Sequence, residues 1–215
     1  MTKLNVDCLS FIFNELQRDR KSLHSCLLVN KEWCNIIVPI LWKEYSWYSK
    51  GESKRKVFNM ILSCLSITSK QLLSDNDINL SSTIPLKSSL FNYISFCRFP
   101  TSKIVDKIIG MVLKEKFGKI KGNFINDNKR NLLEQEIYKL FVSQCKNIKY
   151  LQWRTSQPLP LFPGASTCFS QLRSLNIDIN FVNSNVLYEM AQICKDLNAL
   201  TVRDIVKIRV RLGLG

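Results

Sequence analysis

The chain has 215 residues, a formal net charge of +14, eight cysteines and one histidine. No apolar run approaches the ~20 residues of a membrane span, and the N-terminus lacks a basic-then-apolar signal segment. With a lone histidine and no Cys-x-x-Cys pair a zinc site is not expected, so buried reduced thiols in a cytoplasmic or nuclear protein are the simpler reading.

The first elements are short helices. Val6, Leu9, Ile12, Phe13 and Leu16 recur at spacings of three and four, the stripe of one helix. The polar run Gln17-Arg18-Asp19-Arg20-Lys21 interrupts it. Leu23, Cys26 and Leu27 carry the spacing into a second helix, where His24 reads as a surface or interface side chain rather than a catalytic base. Asn30 is placed to cap a third helix, in which Trp33, Ile36 and Ile37 share a face. Pro39 is expected to end it, because its ring blocks the preceding turn. Leu41 and Trp42 then form an apolar tail. A unit of roughly 40 residues without disulfide or metal is too small to bury this surface alone. Residues 1–46 therefore read as a docking module.

This segment resembles an F-box. Leu4, Asp7, Leu9, Ile12, Phe13, Leu16, Val29, Lys31, Trp33, Leu41 and Trp42 fall at positions of the family pattern. Asn5 stands where the family has proline, Cys8 where it has isoleucine and Asn30 where it has cysteine. A generic three-helix cap is the plainer alternative. The resemblance implies a three-helix F-box that docks on a Skp-family adaptor, and through it on a cullin scaffold that delivers ubiquitin. It also implies an adaptor-binding set of Leu4, Leu9, Ile12, Phe13, Leu16, Val29, Trp33, Leu41 and Trp42, with Leu16 also readable as a core position.

Residues 47–130 read as a basic helical connecting region. Residues 46–130 hold 15 basic and 6 acidic groups, a balance of +9, with Lys54-Arg55-Lys56 and Lys114, Lys116, Lys119 and Lys121 prominent. Val57, Met60, Ile61, Cys64 and Leu65 form one helix stripe, and Leu90, Ile94 and Cys97 a shorter one. Ile104, Val105, Ile108, Ile109, Val112 and Leu113 form the strongest, opened by Ser102. Gly118 to Asn128 is expected to be a flexible connection. Such a field suits nucleic acid or an acidic partner. No RNA-binding motif or zinc finger accompanies it, and a solvated lysine-rich surface is the reading preferred.

Residues 131–215 repeat a template. Ile148-x-x-Leu151-x-Trp153, Leu172-x-x-Leu175-x-Ile177 and Leu197-x-x-Leu200-x-Val202 begin 24 and 25 positions apart. Leucine-rich repeats have periods of about 20–29 residues and this spacing. The last three positions of each copy suit a short strand with alternate side chains turned inward. Leu133, Ile137, Leu140, Phe141 and Cys145 mark a helix before the first copy, and Leu187, Met190, Ala191 and Cys194 one before the third. In the middle copy Gln157 to Gly164 is a proline-rich loop, open to a reading as a proline-motif ligand.

The fold class expected is mainly α, with short α/β leucine-rich-repeat-like units at the C-terminus. An F-box followed by such repeats resembles a substrate receptor of the F-box/leucine-rich-repeat type, which makes no bond itself and holds an unknown protein cargo. Lys149, Gln152, Arg154, Arg173, Asn176, Asp178, Arg203 and Asp204, at or beside strand positions expected to be exposed, are the cargo-facing candidates. Residues 205–215 alternate apolar with basic or glycine residues like a strand, and a shortened chain is suspected. No phosphate loop, nucleophile elbow or metal-ligand spacing is present, so neither a cofactor nor an enzyme is expected. The alternative function is a basic helical nucleic-acid-binding or general protein-interaction protein.

Overall fold

The computed structural model describes residues 5–45, 51–80, 91–114 and 124–203. Helix α1 (Val6–Glu15) opens where the Asn5 side chain accepts the Asp7 amide at 3.3 Å. A 3₁₀ turn (Leu16–Arg18) falls in the polar run, and Asp19 then caps α2 (Arg20–Cys26), taking the Ser22 amide at 3.2 Å and its hydroxyl at 2.6 Å. The cap expected at Asn30 is formed, since its Oδ1 accepts the Trp33 amide at 2.9 Å as α3 (Lys31–Tyr45) begins. Leu9, Phe13, Leu23, Ile37 and Leu41 close into a small core of their own.

Pro39 does not end the third helix but lies inside α3. Its missing amide leaves the Asn35 carbonyl without a helical partner, and Asn35 is exposed, so water can serve there. Beyond the proline, Leu41 is buried in the N-terminal core and Trp42 packs on the next body. That packing offsets the roughly 3 kcal/mol penalty of an interior proline.

The middle of the chain forms α4 (Gly51–Ser63), α5 (Ile67–Asp75), α6 (Tyr93–Phe96), α7 (Ser102–Val112) and α8 (Phe124–Gln144). The capping position of α7 is Thr101, and Ser102 is already helical. The connection expected from Gly118 to Asn128 is helical from Phe124 onward. Leu133, Ile137 and Phe141, at a spacing of four, anchor α8 in the core. Arg130 to Asp106 at 3.3 Å and Lys129 to Asp77 at 3.5 Å hold its first turns to neighbouring segments. The boundary drawn at residue 130 therefore falls within a helix, and one apolar core runs from Val57 to Cys194 across it.

The C-terminal part carries a parallel sheet, β1 (Tyr150–Trp153), β2 (Ser174–Asp178) and β3 (Ala199–Arg203), in the order β1-β2-β3. The register aligns Leu151, Leu175 and Leu200, and likewise Trp153, Ile177 and Val202. Parallel strands need a crossover. The first runs through a 3₁₀ turn at Leu159–Leu161 and the short α9 (Ala165–Phe169), and the second through α10 (Ser184–Ile193). The molecule is mainly helical, with this one small sheet among the described residues. Hydrogen bonds tie the loop after β1 to α8: Trp153 Nε1 donates to the Thr155 carbonyl at 3.1 Å, and Thr155 Oγ1 donates to Glu134 at 2.7 Å. Gln157 Nε2 donates to Asn131 Oδ1 at 2.6 Å.

Candidate functional site

The N-terminal helices leave large apolar side chains outside. Phe11 is 69% exposed, Ile12 43%, Leu28 89% and Val29 56%. Ile12 and Val29 belong to the set expected from sequence. Leu9, Phe13 and Leu41 lie beneath the surface, Leu16 and Trp33 are half-buried, and Leu4 lies outside the described residues. Phe11 and Leu28 were not expected. Each is an apolar residue off the stripe that fills the small core, next to one that was singled out, and that displacement was the available signal.

Trp42, also of the expected adaptor-binding set, is half-buried and packs on the middle helices. Its ring lies 4.6 Å from that of Tyr93 on α6, tilted at 39°. The pair joins the N-terminal unit to the middle helices. Beside it opens a cleft of about 350 Å³, walled by Leu27, Leu41, Trp42 and Val57 and edged by His24, Lys56 and Tyr93. Burial pushes the Tyr93 phenol up, with Cys34 and Cys64 adding to the shift, so its hydroxyl stays protonated at neutral pH.

The sheet presents the second surface. Lys149, Arg173 and Arg203 are exposed, Gln152 and Arg154 are half-buried, and Asp204 lies outside the described residues. Asn176 and Asp178 are buried, against the expectation that they face solvent. Both sit on the central strand, Asn176 flanked by Gln152 and Thr201 and Asp178 by Arg203, and Asp178 Oδ1 is occupied at 3.0 Å by Asn180 Nδ2. The Oδ1 of Asn176 and the Nε of Arg154 have no protein partner. Tyr150, at the head of β1, is an exposed aromatic on this sheet that sequence reasoning passed over. Leu200 and Val202 on β3 are more than half exposed.

Four thiols are buried (Cys97, Cys145, Cys168 and Cys194), whereas Cys8 is exposed. Burial pushes Cys168 up to about 12 and Cys194 up to about 11, and holds Cys145 well above the ordinary thiol range. These groups are protonated core side chains without nucleophilic character at neutral pH. Among the described residues no three His, Cys, Asp or Glu side chains cluster as metal ligands, and no helix is long and apolar enough to cross a membrane. Set beside protein-family models, curated proteins and solved structures, the chain finds no significant match.

Proposed function

We propose that this chain is a non-catalytic substrate receptor of the F-box/leucine-rich-repeat type, docking on a Skp-family adaptor of a cullin-type ubiquitin ligase. The observation that carries the reading is Phe11, Ile12, Leu28 and Val29 held in water by a unit whose own core is already filled. A surface of that kind on so small a unit is the mark of a protein interface. The departures from the family pattern fit the same picture, because Asn5 and Asn30 cap α1 and α3. They supply a helix start where the family uses other residues.

The parallel ladder, with its leucines in register and crossovers of similar length, supports a leucine-rich-repeat-like arrangement at the C-terminus. In this reading the sheet side bearing Tyr150, Gln152 and Thr201 holds the protein cargo. The joint at Trp42 and Tyr93 sets its distance from the adaptor.

The test is a pulldown of the full chain on a purified Skp-family adaptor, comparing wild type with Ile12→Asp/Leu28→Asp/Val29→Asp. All three positions are exposed, so the variant keeps its fold by circular dichroism. Wild-type binding at micromolar concentration, lost in the variant, is the expected result. Full binding by the variant, or none by wild type, overturns the reading.

A further inference from the structure

A second feature lies away from the docking surface and the sheet. Between α4 and α7 runs a groove of about 380 Å³. Lys54 and Arg55 line it from α4, and Lys107 and Lys114 from the α7 side. Among the described residues no carboxylate lines it. Glu52, the nearest acid along α4, is paired with Lys56 at 3.0 Å, and Asp106 on α7 is paired with Arg130 at 3.3 Å. Lys54 and Lys107 face the same groove, and partial burial, with Lys107 adding to it, draws the Lys54 ammonium below its ordinary value. Two like charges facing one groove repel each other, and no acid among the described lining residues offsets them.

The floor is apolar. Phe58 lies under the Lys54 ammonium at 5.5 Å, and Met111 is beside it. Gly110 faces the groove from the last turn of α7, and a Cβ built there meets nothing within 4 Å. Packing does not demand a glycine, and helix propensity disfavours one. Its effect is to leave the groove open.

We propose that this groove is a binding site for a small polyphosphate-bearing molecule, its phosphates taken by Lys54, Arg55, Lys107 and Lys114 over the Phe58 and Met111 floor. Four cations converging on one concave space match an anion of several charges rather than a single carboxylate. The concavity suits a small molecule better than a nucleic-acid strand, which would need a basic track with stacking aromatics. The site is independent of adaptor docking.

The experiment is calorimetry on the full chain at about 150 mM salt, where diffuse surface attraction is screened, with inorganic tripolyphosphate as probe and sulfate as control. Tripolyphosphate is expected to bind at micromolar concentration, at least about tenfold more tightly than sulfate. Lys54→Gln/Lys107→Gln relieves a repulsion, so it folds, and is expected to weaken binding at least about tenfold. Gly110→Leu keeps every cation and improves the helix, yet fills the groove, and is expected to abolish binding. No heat with tripolyphosphate overturns the proposal. So does undiminished binding by Gly110→Leu, which would mark a diffuse basic surface. A single-stranded RNA that displaces tripolyphosphate and binds Gly110→Leu as well as wild type would point to nucleic acid instead and also overturn it.

Discussion

Phe13 and Trp33 meet edge to face, their ring centroids 5.1 Å apart and their planes inclined at 66°. The contact ties α1 to α3 across a core of five buried side chains. Phe13→Ala removes its one buried aromatic and is expected to cost about 3–5 kcal/mol. A core this small has little to spare. The helices α1 to α3 should then open locally while the larger core persists. Hydrogen exchange read by mass spectrometry should show lost protection across residues 6–45 and none lost across 133–142. Uniform loss along the chain would mean that the two cores fold as one.

Gly164, at φ +90°, begins α9 against α8. A Cβ there would lie 2.9 Å from both Ser143 Cα and the Val142 carbonyl oxygen. Both neighbours are helix backbone and cannot give way as a flexible side-chain tip could. Gly164→Ala is expected to lose about 2–4 kcal/mol from strain and displacement together. A thermal melt measures it, and an unchanged midpoint would show that α9 can lift off α8.

The buried thiols set an alkaline limit. Cys168 at about 12 and Cys194 at about 11 lie above the 9.0 of an ordinary thiol. A group with a raised folded pKa contributes stability that is complete below its unfolded value and lost as pH rises through the folded one. The urea midpoint should therefore hold to about pH 8 and fall between about 9 and 12. At neutral pH a disulfide reagent should label Cys8 in the native protein. It should reach Cys145, Cys168 and Cys194 only after denaturation. Rapid native labelling of those three would contradict the packing around them.

Glu134 follows the same rule in the acid range. Burial raises its pKa, against hydrogen bonds from Thr155 and Gln157 that lower it, while Asp106 raises it and Arg130 lowers it in smaller measure. The folded state thus favours the neutral acid, and that contribution is lost as pH climbs through the folded pKa. Glu134→Gln keeps an acceptor for the Thr155 hydroxyl and removes the buried charge. Its melting temperature should equal or exceed that of wild type at pH 7, and the difference should vanish at pH 4. A loss at pH 7 would show that the ionised carboxylate is needed by its two donors.

The strands and their register were legible from the spacing of their apolar residues: Leu151, Leu175 and Leu200 stand in line as that spacing implied, although on β3 Leu200 and Val202 are exposed rather than turned inward. The cap at Asn30 was legible for a local reason, since a side-chain oxygen satisfies an amide within three residues. Pro39 misled because its penalty is local while the packing of Leu41 and Trp42 that outweighs it is not. The early start of α8 was hidden likewise, since Arg130 and Lys129 find their acids 24 and 52 residues away. Asn176 and Asp178 were expected at or beside exposed strand positions, and only the packing around β2 in the folded chain reveals otherwise. The basic groove was half legible. The lysines and Arg55 were visible as charge, but the meeting of Lys54 with Lys107 depends on how α4 and α7 lie together.

Asn176 tests the reading of the sheet as a recognition surface. In register between Gln152 and Thr201, it keeps its Oδ1 buried without a protein partner. An unsatisfied buried acceptor costs about 1–3 kcal/mol. Asn176→Val removes that burden and places a β-branched residue in a central strand, so it should raise stability by about 1 kcal/mol. An asparagine that weakens the strand it stands in is explained if a cargo group comes to its amide. Adaptor binding by Asn176→Val should match wild type, while cargo capture should fall. A drop in stability of similar size would instead mean that the amide is satisfied in solution and serves the strand itself.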